Sequence, residues 1–189
     1  LEESLAIKRA IGDRKGIAVV LSNLAILAHE QGDIPQTIAY LEQSLEIDRD
    51  LGNQPGIADD LDNLGGIVAM QGDGPRAARL LGQALAIRLD MADRFSVAFS
   101  LENIAALLRV SGENALAARL LGSAEALRKE IDAPLPPSEQ ARIDEGIAAG
   151  RDAIGEAAFD AARAAGRALD WETAADEALA AANARAAEA

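Results

Sequence analysis

The stretch LSNLAILAHEQGD, Leu21–Asp33, returns as LDNLGGIVAMQGD at Leu61–Asp73 and as LENIAALLRVSGE at Leu101–Glu113, an offset of forty residues each time. A fixed period of that size marks a stack of small units, none of which can bury its apolar face alone. The register holds well beyond the quoted stretch. Leu1, Leu41, Leu81 and Leu121 coincide, as do Ile7, Ile47, Ile87 and Leu127, then Ile11, Leu51, Met91 and Ile131, and then Gly32, Gly72 and Gly112. In third place of every copy stands an asparagine among apolar neighbours: Asn23, Asn63 and Asn103.

Two helices are read in each unit. The first runs roughly from Gly16 to Gln31, with Leu21, Leu24, Ala25 and Ala28 at helical spacing on one face. Gly32 is suited to the left-handed conformation that closes a helix. Asp33 is placed to cap the next helix with its carboxylate, Pro35 falls in the first turn where its missing donor costs little, and Gln36 completes a capping-box spacing. That second helix carries Ile38, Leu41, Leu45 and Ile47 to about Leu51, where Gly52 and the GNQPG segment lead into the following unit. The chain opens without Met at LEESLAIKRAIGD, which reads as the second half of a repeat, so a piece of a longer protein is expected.

Composition agrees with a helical stack and excludes several functions. Half of the 189 residues are hydrophobic, enough for a substantial core, but only 3% are aromatic, so Ala and Leu must fill it between closely approaching helices. A formal charge of −13 argues against direct nucleic-acid binding, which needs clustered Lys and Arg. One Trp, one Tyr and three Phe supply few base-stacking platforms. With no cysteine there is no disulfide, thiolate zinc site or cysteine nucleophile. No apolar run is long enough to span a bilayer.

The units resemble the tetratricopeptide repeat family in its long variety. Leu64-Gly65, Gly72-Asp73 and then Ala77, Leu81 and Ala84 match that family's large-beside-small pair, its Gly-Asp corner, and the small, large, small pattern of its second helix. Ala25 and Ala105 stand in place of the helix glycine, and Thr37 stands where Ala77 and Ala117 do. The resemblance covers residues 1 to about 133 and implies an all-α fold, an α-α superhelix of antiparallel helix pairs.

Beyond residue 133 the pattern changes. IDAPLPPSEQ, Ile131–Gln140, has three prolines and interrupts the helices. Three further helices are expected, at about Ser138–Ala153, Gly155–Leu169 and Trp171–Ala186, the last capped by Asp170, and together they would form a C-terminal cap over residues 134–189. The segments LLGSAEALR, APLPP and GRALDWE resemble the C-terminal end of large bacterial regulators, in which a signalling ATPase core, sometimes with a LuxR-type DNA-binding or a cyclase domain, precedes a repeat array. This likeness spans about Ala117–Leu179 and implies a cytoplasmic setting.

A catalytic constellation is missing, so no enzyme, cofactor or metal site is expected. His29 is the only histidine, and there is no GxxxxGK[ST] loop, QGDGPR at Gln71–Arg76 being a helix corner. His29 itself reads as a solvated surface residue. Asp59, Asp60 and Asp62 read as a solvated acidic face, a cation site or a clamp for a basic peptide being the alternatives.

The asparagines belong to a stripe beside the core stripe. Val19, Ser22, Asn23, Ile26 and Glu30 form it in the first copy; Asp59, Asp62, Asn63, Gly66 and Met70 in the second; Phe99, Glu102, Asn103, Ala106 and Val110 in the third. First helices line the concave side of such a stack, so these stripes would wall a groove. An amide donates and accepts, and three at one-repeat spacing could pair with an extended peptide backbone, as peptide-binding members of the resembled family do. Alternatively each amide ties neighbouring helices together. The expectation is thus a non-catalytic module whose partner is a protein or peptide, with Asn23, Asn63 and Asn103 addressing backbone. Val19, Ile26, Met70 and Phe99 would supply apolar contact, and Asp59, Asp62 and Glu102 would favour basic groups. The other reading is a self-association scaffold, a homodimer formed through the exposed helix Leu1–Ile11.

Overall fold

The computed structural model describes residues 1–188, and those residues form ten helices and no strand. Seven helices follow the repeat: α1 (Glu2–Ala10), α2 (Arg14–Glu30), α3 (Ile34–Leu51), α4 (Gln54–Met70), α5 (Gly74–Asp90), α6 (Arg94–Val110) and α7 (Asn114–Glu130). Helices α2, α4 and α6 begin at residues 14, 54 and 94, and α3, α5 and α7 at 34, 74 and 114, so the period of the sequence is the period of the structure.

Local chemistry sets these boundaries. Asp13, Asp33, Asp73 and Asp93 each accept a hydrogen bond from the backbone N–H three residues on, at 2.9 to 3.2 Å, which satisfies a donor that the helix start leaves free. Pro35, Pro55 and Pro75 occupy first turns, where no donor is needed. Ahead of Asp33 the chain reverses at Gly32, whose φ of 77° lies in the left-handed region.

Helices pair α2 with α3, α4 with α5 and α6 with α7, and the pairs stack through α3 on α4 and α5 on α6. Leu21, Leu41, Leu61, Leu81 and Leu101, equivalent rungs of the repeat, are all buried. Small residues stand where helices touch: Ala77, Ala84 and Ala117 are buried, and a Cβ on Gly65 would come within 2.8 Å of Leu81. Thr37 fits the alanine position because its hydroxyl donates back to the Asp33 carbonyl at 2.8 Å. The result is an α-α superhelix of antiparallel helix pairs.

The remaining chain forms α8 (Pro137–Ile154), α9 (Glu156–Arg167) and α10 (Trp171–Ala186). The last matches the expected span, with Asp170 accepting from Thr173 N–H at 2.7 Å. The middle helix is shorter than expected. Gly155, at φ 85° and ψ 144°, stands between α8 and α9 in a conformation closed to other residues, and α9 stops at Arg167.

These helices pack against the stack in two directions. Helix α9 crosses α7 at backbone contact: a Cβ on Gly122 would run into the Arg163 carbonyl, and one on Gly166 into the Arg119 carbonyl. Ser123 fastens the crossing by donating to the Gly166 carbonyl at 2.9 Å. The segments LLGSAEALR and GRALDWE thus meet, and their glycines are required by that meeting. Helix α10 instead folds back onto α5, with further contacts to α6 and α7, so Ala174, Ala175, Ala178 and Ala182 join one apolar cluster that begins at Val68. Among the described residues no helix is long and apolar enough to cross a membrane.

Candidate functional site

The inner faces of α2, α4 and α6 carry the asparagine stripes, and two adjoining hollows open over them. One, of about 720 Å³, is lined by Asn63, Gly66 and Met70 of α4 and by Phe99, Asn103 and Ala106 of α6. His29 of α2 and Glu139 and Arg142 of α8 complete its wall. The other, of about 590 Å³, is lined by Val19 and Asn23 of α2, Asp48 of α3, and Asp59, Asp60 and Asn63 of α4. Asn63 and Phe99 belong to both, so the hollows form one trough running across three helices. Ile26 lies beside Asn63 in a smaller recess of about 90 Å³.

The apolar stripe residues are open to solvent, Met70 at 73%, Val19 at 54% and Ile26 at 53% exposure. Asn23 and Asn63 are exposed and Asn103 is half-buried. Among the described residues neither the Asn23 nor the Asn63 side chain makes a hydrogen bond within the chain, while the Asn103 amide faces Asp62 and favours the charged form of its carboxyl. The amides of the first two units therefore do not tie helices together, and their donors and acceptors face the trough.

Other residues tie the helices, and here the acidic stripe departs from expectation. Asp60 and Asp62 are not part of a solvated face; they are 1% and 3% exposed. Asp62 is bonded by Arg88 of α5, whose guanidinium also donates to Ser100 at 2.7 Å and to Asp59 at 2.9 Å and lies 5.5 Å from the Phe99 ring. Glu102 is likewise buried, held by a two-pronged bond from Arg128 of α7 at 2.6 and 2.9 Å. It lines a separate hollow between α6, α7 and the tail, and a small recess that it shares with Ala106 at the edge of the trough. The charges of Asp62 and Glu102 are thus met from within, because a buried carboxylate needs a counter-charge, and of the three expected acidic residues only Asp59 remains largely exposed. Burial pushes the Asp62 carboxyl up to about 6, with Arg88 and Asn103 pulling the other way.

The first unit has a different polar centre. Ser22 donates to Asp60 Oδ1 at 2.9 Å and shares a 2.9 Å hydrogen bond with Ser44, which donates to the Ala18 carbonyl. Asp48 is buried beside them and accepts from Asn53 at 2.9 Å. Burial pushes the Asp60 carboxyl up to about 6, the nearby Asp48 and Asp59 charges adding to the effect and the serine hydroxyls opposing it.

His29 also departs from expectation: it is half-buried against the trough, with Nδ1 enclosed and without a partner among the described residues. Arg88 and Arg128 were missed as site residues, although Asp62 to Arg88 and Glu102 to Arg128 are both steps of 26 residues joining opposite charges in successive units. That repeated spacing was the available signal. The part played by α8 in the trough wall had none. Among the described residues no group of three His, Asp or Glu side chains is placed to hold a metal ion.

The comparisons bear on α2 to α5. No curated protein and no solved structure matches the chain. Residues 16–90 match the family model for the tetratricopeptide repeat, a fold that generally mediates contact between proteins. Those residues, from the first turn of α2 to the end of α5, are therefore similar to the tetratricopeptide repeat family, and the third pair, α6 with α7, continues them at the same period.

Proposed function

We propose that the trough receives an extended peptide segment of a partner protein and that the chain is a non-catalytic recognition arm. The observation that carries this reading is the row of asparagines on α2, α4 and α6, one per unit, with the Asn23 and Asn63 amides open to the trough and unused inside the chain. Met70, Val19, Ile26 and Phe99 alongside supply apolar surface for alternate side chains of such a segment. The net charge of −13 supports a protein partner over nucleic acid. The likeness of the tail segments to the ends of bacterial signalling regulators supports a role as the sensing or assembly arm of a cytoplasmic regulator, in which an occupied trough biases the domains joined to it.

The test combines selection with a melt. Phage-displayed nine-residue peptides are selected on the protein, and the enriched peptide is titrated against the wild type and Asn63→Ala. The reading requires affinity to fall at least tenfold while Tm stays within a degree, because the amide has no partner inside the fold to lose. Unchanged affinity would remove it. A Tm drop of several degrees would show instead that Asn63 ties helices.

A second reading, self-association, is supported by α1, where Ile7 and the adjoining Leu1 and Ile11 are each at least half exposed. Sedimentation equilibrium separates the two, a monomer at 100 μM excluding the scaffold.

A further inference from the structure

The three units solve one problem in two ways. In the second, a guanidinium from α5 enters between α4 and α6, where Arg88 meets Asp62, Asp59 and Ser100. In the third, Arg128 meets Glu102 in the same register. Forty residues earlier, the places of Arg88, Asp62 and Ser100 are held by Asp48, Ser22 and Asp60. The arginine position has become a carboxylate, and so has the serine position it would bond.

The two carboxylates are 4% and 1% exposed, and Asp60 Oδ2 is enclosed without a hydrogen-bond partner among the described residues. The neighbouring cations do not supply the missing charge. Lys15 stands exposed at the rim without a salt bridge among the described residues, and Arg88 is engaged by Asp62 and Asp59. The hollow of about 590 Å³ opens over Asp48, Asp59 and Asp60, with Phe99 on its wall. Two buried acids facing one space, with hydroxyls and one amide as their only partners, leave a deficit of positive charge that burial makes costly.

We propose that this hollow receives the guanidinium of an arginine side chain from a partner protein, which takes up between Asp48 and Asp60 the place that Arg88 and Arg128 fill from within in the next two units. This deepens the peptide reading of the trough and rests on it for the partner being a protein segment. A planar, multiply donating group suits the site better than a compact ion. The carboxylates are spread over two helices and do not form a metal-holding cluster, whereas a guanidinium bridges separated acceptors and packs against an aromatic wall.

Two capped peptides of sequence GSGSXSGSG, with X arginine or the uncharged citrulline, are titrated into the ¹⁵N-labelled protein while the backbone signals of Gly56, Asp60 and Asn63 are followed. The arginine peptide is expected to move them saturably, at least tenfold more tightly than citrulline does. Asp60→Asn abolishes that preference. Asp48→Arg, which installs the residue carried by the other two units, fills the hollow, removes the response and raises Tm. Circular dichroism confirms that both variants are folded, with Asp60→Ser, the residue at the equivalent position of the next unit, replacing Asp60→Asn should that one unfold. Equal responses to the two peptides, an arginine preference that survives both variants, or displacement of the arginine peptide by millimolar CaCl₂ at constant ionic strength overturns the proposal. Phage-selected peptides that bind with no arginine preference leave the trough reading standing and this one fallen. An arginine response without any selected nine-residue peptide does the reverse.

Discussion

At the scale of single residues, Asp60 is where burial and charge disagree most. Its folded carboxyl is pushed up to about 6, above the ordinary 3.8, chiefly by loss of solvent. The folded state therefore binds this proton more tightly than the unfolded state. The contribution is stabilising and fully present below about pH 3.8, and it is lost as pH rises through 6. Asp62, raised likewise to about 6, acts in the same direction. Tm should accordingly rise when pH is lowered from 7.5 to 5.5. Asp60→Asn should rise less over that interval and at pH 7.5 should exceed the wild type by on the order of 2–3 kcal/mol, read from urea denaturation at both pH values. Parallel pH dependence in the two proteins would show that Asp60 is not the titrating group. The asparagines were legible in the sequence because a polar residue kept in one place of an apolar pattern is conspicuous. The burial of Asp62 was not, because a buried acid and a surface acid look alike until the arginine 26 residues on is considered together with it, and Asp60 has no such arginine to mark it.

At the scale of elements, nearly every helix boundary was readable, because caps, prolines and corner glycines act within a few residues of chain. The corners also contain an irregularity. Gly12, Gly32, Gly52, Gly72 and Gly112 turn the chain at positive φ, and at the same twenty-residue spacing two residues with a side chain, Ala92 and Asp132, hold φ 52°. A residue with a Cβ is strained there by about 1 kcal/mol. Ala92→Gly relieves the strain, and since Gly also loosens the unfolded chain, the net gain in denaturation free energy should lie near 0.5 kcal/mol. A loss of stability in the urea midpoint would show that the Ala92 methyl makes contacts worth more than the strain. The break between α8 and α9 falls at Gly155, within a residue of the reading, while the end of α9 was read less well: it comes at Arg167 and not at about Leu169, with no glycine or proline after it to mark a stop.

At the scale of the molecule, the stack followed from the forty-residue period, since equal helix pairs joined by equal corners can only repeat one packing operation. The course of the tail did not follow. That α9 crosses α7 through Gly122 and Gly166, and that α10 returns to α5, depends on surfaces far apart in the chain, which no periodicity encodes. The same limit hid α8 from the trough wall, where Glu139 and Arg142 close one end. The central claim is that stacking these pairs leaves an amide-lined trough that takes a partner's extended segment. The most direct measurement is the set of side-chain NH₂ signals of Asn23, Asn63 and Asn103, followed by ¹⁵N NMR as the phage-selected peptide is added. The account predicts that these signals, with the inner faces of α2, α4 and α6, shift most and saturate together. Shifts confined to the outer surface of α5 and α10, with the asparagine signals unmoved, would contradict it.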